Sequence, residues 1–461
     1  MSLPSEALDL IIHYSRPVFD TSDEIWEIVG DPNFHLTLAA VSTHWREAVL
    51  SKPVLWTTIL FRNVRLARAD KYAHYLQLCF ERSKKLYLDI SISFAKGEWD
   101  YSPHLLTSSS DTLILKNLDR IYDLRPQFPP YKWIAMIPTM PTLNTLGIIS
   151  RFDDIISLPK LEIEALVDIF IRAPAREIRF QPCNESISRI KLTKVPIDVC
   201  IRLLQGCPSL IEFSCSRAGS PTDDFRSAIL RGSLTLQYLS HFEWEVPGAP
   251  AIDWSDALME HLRLPSLTSL VWRETNASAW GHSARLFFEN LPTTFKNLRI
   301  VGVSDASVRE VDIMGWIHYN TEVETVQMVD CGGELIRSLF ENMLFEEGAD
   351  EDDSFYFPLL ESVVINGCRD SNGGTLHVLP AELGIIFAEA LKAREESLLT
   401  FVLEMNSVGL EEWLPSVKDM LMELEQDGLD LAIYDRSRSV DWLEFKEVIS
   451  DSFQDWIEQW D

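Results

Sequence analysis

The first apolar pattern along the chain is helical. Leu8, Ile11 and Ile12 fall at i, i+3 and i+4, which is one face of an α-helix. Leu3-Pro4-Ser5-Glu6 opens it, with proline suited to the first turn and glutamate to the positive end of the helix dipole. Pro17 and Gly30-Asp31-Pro32-Asn33 break the pattern between residues 15 and 34. Within that break, Ile25, Trp26 and Ile28-Val29 predict a short helix. Helical spacing resumes with Leu38, Val41, Trp45 and Val49, and Lys52-Pro53 ends it before the run Val54-Leu55-Trp56-Thr57-Thr58-Ile59.

Beyond Phe61 a different unit recurs: Leu-x-x-Leu-x-Leu, often after proline and a small residue. It stands at Leu143-x-x-Leu146-x-Ile148, Ile187-x-x-Ile190-x-Leu192, Leu210-x-x-Phe213-x-Cys215 and Leu239-x-x-Phe242-x-Trp244. It returns at Leu267-x-x-Leu270-x-Trp272, Leu298-x-x-Val301-x-Val303, Val323-x-x-Val326-x-Met328 and Leu360-x-x-Val363-x-Ile365. From residue 187 the starts lie 23, 29, 28, 31, 25 and 37 residues apart. Such spacing fits an irregular solenoid of one short strand and one returning helix per repeat. Helices are predicted at 197–204, 255–262 and 334–344. Cys331 and Cys368, five residues after the second anchor, are expected to cap turns by bonding free backbone groups. Leu86-x-Leu88-x-Ile90-x-Ile92 alternates like a strand and 72–83 reads as a helix, an atypical first coil. A generic α/β domain would show similar runs.

Charge narrows the partners. The 461 residues are 46% hydrophobic and 24% charged, with a net charge of −29. From Glu341 onward, 29 acidic against 7 basic residues give −22, leaving −7 for the first 340. An acidic surface repels phosphate backbones and anionic lipid, so neither nucleic acid nor membrane is an expected partner. Six acids within residues 346–353 predict a solvated loop. The segments 410–424 and 442–460 read as acidic amphipathic helices carrying Trp413, Trp442, Trp456 and Trp460. No apolar run is long enough to span a bilayer, and the first residues carry no secretory pattern. Seven scattered cysteines lack any Cys-x-x-Cys pair, so reduced thiols and a cytoplasmic or nuclear location are expected. Histidines, glycines and cysteines form no metal, phosphate-loop or nucleophile-elbow motif. No catalytic residue, metal or cofactor is expected, and the chain reads as a non-enzyme.

Leu3-Pro4-x-Glu6-x-Leu8-x-x-Ile11, Leu38-x-x-Val41-Ser42-x-x-Trp45-Arg46 and Leu55-Trp56-x-x-Ile59 closely resemble the F-box, in order. The spacing between the first helix and Leu38 exceeds the family's usual length, so about 20–33 reads as an insertion. A looser likeness, to fungal F-box proteins with degenerate leucine-rich repeats, covers most of the rest. The resemblance implies an α/β chain with a helical F-box module at 1–60, a solenoid at 61–401 and an acidic helical cap or tail at 402–461. It implies the substrate-binding subunit of a Skp–cullin–F-box ubiquitin ligase, joined through a Skp-type adaptor to a cullin and holding an unknown target protein. Leu3, Pro4, Leu8, Ile11, Leu38, Val41, Ser42, Leu55 and Trp56 would form or support the adaptor face, while Trp45 and Arg46 hold the module together. In a solenoid, residues between the apolar anchors face the concave side. Those are Arg189, Lys191, Glu212, Ser214, His241, Glu243, Val271, Arg273, Gln327, Val364 and Asn366. Such a mixed row suits a target protein, and equally an ordinary solvated sheet face. The alternative function is a non-ligase scaffold in which the F-box-like module only braces the solenoid.

Overall fold

Alternation at period two along the strands and at 3.6 between them builds a mixed α/β chain around parallel sheet. The computed structural model describes residues 11, 14, 18–19, 28–29, 34–95, 97–99, 102, 104–150, 155–157, 163–173, 177–179, 185–222, 232–247, 251–274, 282–304, 322–344, 357, 359–369, 381–394, 398–405, 415–435 and 440–441. The chain divides into two compact units, Met1–Cys207 and Pro208–Asp461.

In the first unit, helices α1 (Phe34–Val41) and α2 (Thr43–Ser51) and a 3-10 turn at Pro53–Trp56 lead into strand β1 (Thr58–Val64). Then follow α3 (Ala69–Arg82), β2 (Leu88–Phe94), α4 (Ser108–Leu115), β3 (Ile121–Gln127), α5 (Tyr131–Met136) and β4 (Thr145–Ile149). Strands β5 (Asp168–Arg172) and β6 (Arg189–Thr193) and helix α6 (Ile197–Gly206) complete it. The six strands pair in chain order, all parallel. Among the described residues no α-helix separates β4 from β5 or β5 from β6. Instead Ile155–Ser157 pairs in parallel with Glu177–Arg179.

The second unit repeats the arrangement. Its strands are β7 (Glu212–Ser216), β8 (His241–Val246), β9 (Ser269–Glu274), β10 (Asn297–Val301), β11 (Thr325–Gly332), β12 (Ser362–Arg369), β13 (Thr400–Met405) and β14 (Asp430–Asp435). These are parallel and in chain order, and β15 (Val440–Asp441) closes the edge antiparallel to β14. Helices α7 (Ile252–His261), α8 (His282–Glu289), α9 (Gly333–Met343), α10 (Ala381–Ala393) and α11 (Pro415–Asp427) lie between strands.

The apolar anchors of each strand face the helices. Phe61 of β1 meets Tyr72 of α3 at 5.2 Å between ring centroids, and Trp272 of β9 meets Phe288 of α8 at 5.0 Å. Phe387 of α10 packs between Phe340 of α9 (4.4 Å, tilted) and Phe401 of β13 (4.6 Å, edge-on). The alternate residues form the opposite, open face.

Two backbone devices recur at nearly every strand. The carbonyl just before one strand accepts from two successive N–H groups at the start of the next. Asn144 accepts from Val167 and Asp168, Ser240 from Thr268 and Ser269, and Glu324 from Glu361 and Ser362. At the other end, a residue of positive φ stands two positions after the last anchor: Asn63, Phe128, Lys194, Arg217, Gly302, Asp330 and Gly367.

Several expectations need correction. Ile28-Val29 is not helical but pairs antiparallel with Val18–Phe19, as two β-branched residues favour. The unit read as Leu298-x-x-Val301-x-Val303 is out of register. Leu298 and Ile300 are the buried anchors, aligned with Leu270 and Trp272, and Val301 lies on the open face. The unit therefore starts at Phe295, and the starts 239, 267, 295 and 323 are each 28 residues apart. Three further copies went unread, at Ile121-x-x-Leu124-x-Pro126, Leu166-x-x-Ile169-x-Ile171 and Leu398-x-x-Phe401-x-Leu403. The expected boundary at 401/402 falls inside β13, and β14 continues the same ladder, so the described part of 402–461 extends the sheet. The loop at 346–353, Trp413 and the helix at 442–460 lie outside the described residues. Cys331 does bond a free carbonyl as expected, its thiol donating to Ile300 O at 3.4 Å. Burial pushes that thiol up to about 12.

Candidate interaction surfaces

Helix α1 is apolar in sequence yet buries little. Of Phe-His-Leu-Thr-Leu-Ala-Ala-Val, Phe34 and His35 are buried, whereas Val41 is 63% and Leu36 39% exposed. Leu38 is half-buried. Ser42 is exposed and caps α2, its hydroxyl accepting from Trp45 N at 3.3 Å. The Arg46 guanidinium donates to Ala39 O at 3.1 Å and braces the elbow between the helices. Ile11 is helical and exposed, as is Tyr14 nearby. Leu3, Pro4 and Leu8 lie outside the described residues.

Leu55 and Trp56, expected to form or support the adaptor face, are buried beneath it. They are 2% and 1% exposed, because the 3-10 turn rolls them under the helices. The Trp56 indole donates to Val49 O at 3.2 Å and packs edge-on against His35 at 4.9 Å. His35 Nε2 in turn lies 2.9 Å from the Tyr75 hydroxyl of α3. Burial raises the Tyr75 phenol, which keeps the contact neutral. His35 and Tyr75 carry no helical-period signal that sequence reading could have used.

The face opposite the helices in the first unit holds an ion-pair row in which Asp123, Arg125, Thr145 and Asp168 are buried and Arg189 is exposed. Register brings Asp89, Asp123, Thr145, Asp168 and Arg189 side by side across β2 to β6. Arg125 grips Asp123 through Nη2 at 2.8 Å and Nε at 3.0 Å. Arg189 forks onto Asp168 at 2.6 and 2.5 Å, and Thr145 donates to Asp168 at 3.4 Å. Burial raises the Asp123 carboxyl, against the pull of Arg125. Lys191, one step along β6, is half-buried beside Phe170. Of this row only Arg189 was expected from sequence. Strand β3 hides its alternation behind Pro126.

In the second unit the row runs from Glu212 through His241 and Ser269, with Ser214, Glu243 and Val271 beside it. Glu212 is exposed. Glu243 is a hub, accepting from Ser214 Oγ and Arg273 Nε, each at 2.5 Å. His241 and Ser269 share a hydrogen bond at 3.1 Å, and burial lowers the imidazole despite Glu243 and Glu212. Gln327 aligns between Arg299 and Val364. Asn366 is a correction: with Ser362 and Val364 it is buried, so it is not presented. Among the described residues its Oδ1 and Ser362 Oγ find no hydrogen-bond partner.

Among the described residues no cluster of histidine, cysteine, aspartate or glutamate could hold a metal ion. Among them, too, no helix is long and apolar enough to cross a membrane. No known protein family matches the chain, and no curated protein matches it.

Proposed function

We infer that the chain is the substrate-binding subunit of a Skp–cullin–F-box ubiquitin ligase. The observation that carries this is α1: an apolar helix whose Leu36 and Val41 lie open at the place where the F-box-like motif falls. Exposed apolar helix surface marks a protein docking site, and a Skp-type adaptor, itself bound to a cullin, is the partner the motif implies. Buried Leu55 and Trp56 support that face from beneath rather than touching the adaptor. The parallel strands and their helices act as a leucine-rich-repeat-like solenoid, a reading supported by the 28-residue spacing and the recurring strand-start and strand-end devices. The open-face rows would meet the target protein, with Arg189, Lys191, Glu212, Glu243, Arg273 and Gln327 the groups on offer. Catalysis belongs to other subunits, and this chain acts by bringing the target close.

Burial of Leu55 and Trp56 equally suits the second reading, a scaffold whose helical module only braces the sheet. Co-purification separates the two. Wild-type chain should retain a Skp-type adaptor and Leu36→Asp/Val41→Asp should lose it at unchanged melting temperature. Retention by both, or by neither, removes the ligase reading.

A further inference from the structure

We propose that a groove between α2 and the α3–β2 turn binds a short acidic segment of another protein, anchored by bulky apolar side chains. The groove is open and about 630 Å³ in volume, within the range of peptide and ligand pockets. Pro53, Val54 and Leu86 line it, and Lys52, Lys84 and Lys85 stand around them. Val54 and Leu86 are both exposed. The charge here runs against that of the molecule. Acidic residues outnumber basic ones 70 to 41 in the chain, yet three of the lining residues are lysines and none is a carboxylate. Lys84 and Lys85 are exposed and form no ion pair among the described residues.

Both walls are held in place before anything binds. On one side, Thr57 Oγ1 donates to Val54 O at 2.8 Å, and the Trp56 indole ties the same turn to α2. On the other, Arg120 donates to Ser83 Oγ at 2.5 Å, to Leu86 O at 3.1 Å and to Phe80 O at 3.3 Å. That clamp holds Lys84 in the left-handed region, at φ +56, and sets the two lysines outward. The strand pair Thr58–Asp89 joins the walls. A braced apolar floor with the exposed Lys84 and Lys85 ammonium groups at its rim fits carboxylates flanking one or two leucine-like side chains, since preorganisation lowers the ordering cost of binding. The inference stands apart from the ligase reading, because it concerns a different face and a different partner.

The test is fluorescence anisotropy on the full chain with a short fluorescein-labelled peptide of alternating Glu and Leu. Replacing its Glu by Gln, or its Leu by Ser, should weaken binding about tenfold in each case. Lys84→Glu/Lys85→Glu should weaken it by about tenfold with the melting temperature unchanged, and about 0.5 M salt should have a similar effect on the wild type. Leu86→Ser, which keeps the lysines, should weaken it about fivefold. Equal binding by wild type and both variants, or no binding by the wild type, overturns the proposal. So does a concentration-dependent dimer of the wild type that Lys84→Glu/Lys85→Glu dissolves, because the occupant would then be a second copy.

Discussion

Trp56 joins three elements through one side chain: the indole N–H to α2, the ring to His35 of α1, and through His35 to Tyr75 of α3. Trp56→Ala should therefore cost about 3–5 kcal/mol, read as an earlier thermal transition of the first unit. His241 gives the second unit a pH dependence. Burial holds its folded pKa below the unfolded value of about 6.5, so the folded state binds fewer protons. That stability is present above about pH 6.5 and is lost as pH falls towards the lowered folded pKa. The urea midpoint should fall between about pH 7.5 and 5.5 in the wild type, and the fall should be smaller in His241→Gln. An equal fall in both would show that other groups dominate.

At the scale of elements, the strand-end devices make a sharp claim. Gly367 sits within β12, two residues after its last anchor, at φ +78, and a Cβ there would lie 2.5 Å from the Asp330 carboxylate. Gly367→Ala should cost about 1–2 kcal/mol and lower the melting temperature of the second unit. Seven of the eight expected units fell on strands in the right register because their anchors are buried together on one face. The eighth was misread because Val301 is apolar on the open face, so pattern alone slid it by three residues. Pro126 at an anchor position concealed β3, and β5 has no α-helix on either side among the described residues to mark its repeat. The clearest error concerned depth. Asn366 was read as presented on the concave side but is buried, since period cannot say which face is covered by the next element. The exposed stripe of α1 was legible at Val41 and the buried His35–Tyr75 contact was not, since it joins residues far apart in sequence.

At the scale of the molecule, regularity and charge point the same way. Starts 28 residues apart through the middle of the chain give way to wider spacing around the 346–353 window, where acidic residues accumulate. Parallel strands in chain order bury their anchors against helices and leave a second, more polar face opposite, an arrangement suited to holding another protein. The groove at Lys84 and Lys85 is a basic spot on an acidic chain and so a second, separable contact. The central claim remains that the exposed α1 stripe is an adaptor face. Isothermal titration of the purified full chain with a purified Skp-type adaptor tests it most directly. The expected result is saturable one-to-one binding that Val41→Asp weakens by about tenfold or more without altering the melting temperature. Absence of binding by the wild-type chain, or binding that Val41→Asp leaves unchanged, would contradict it.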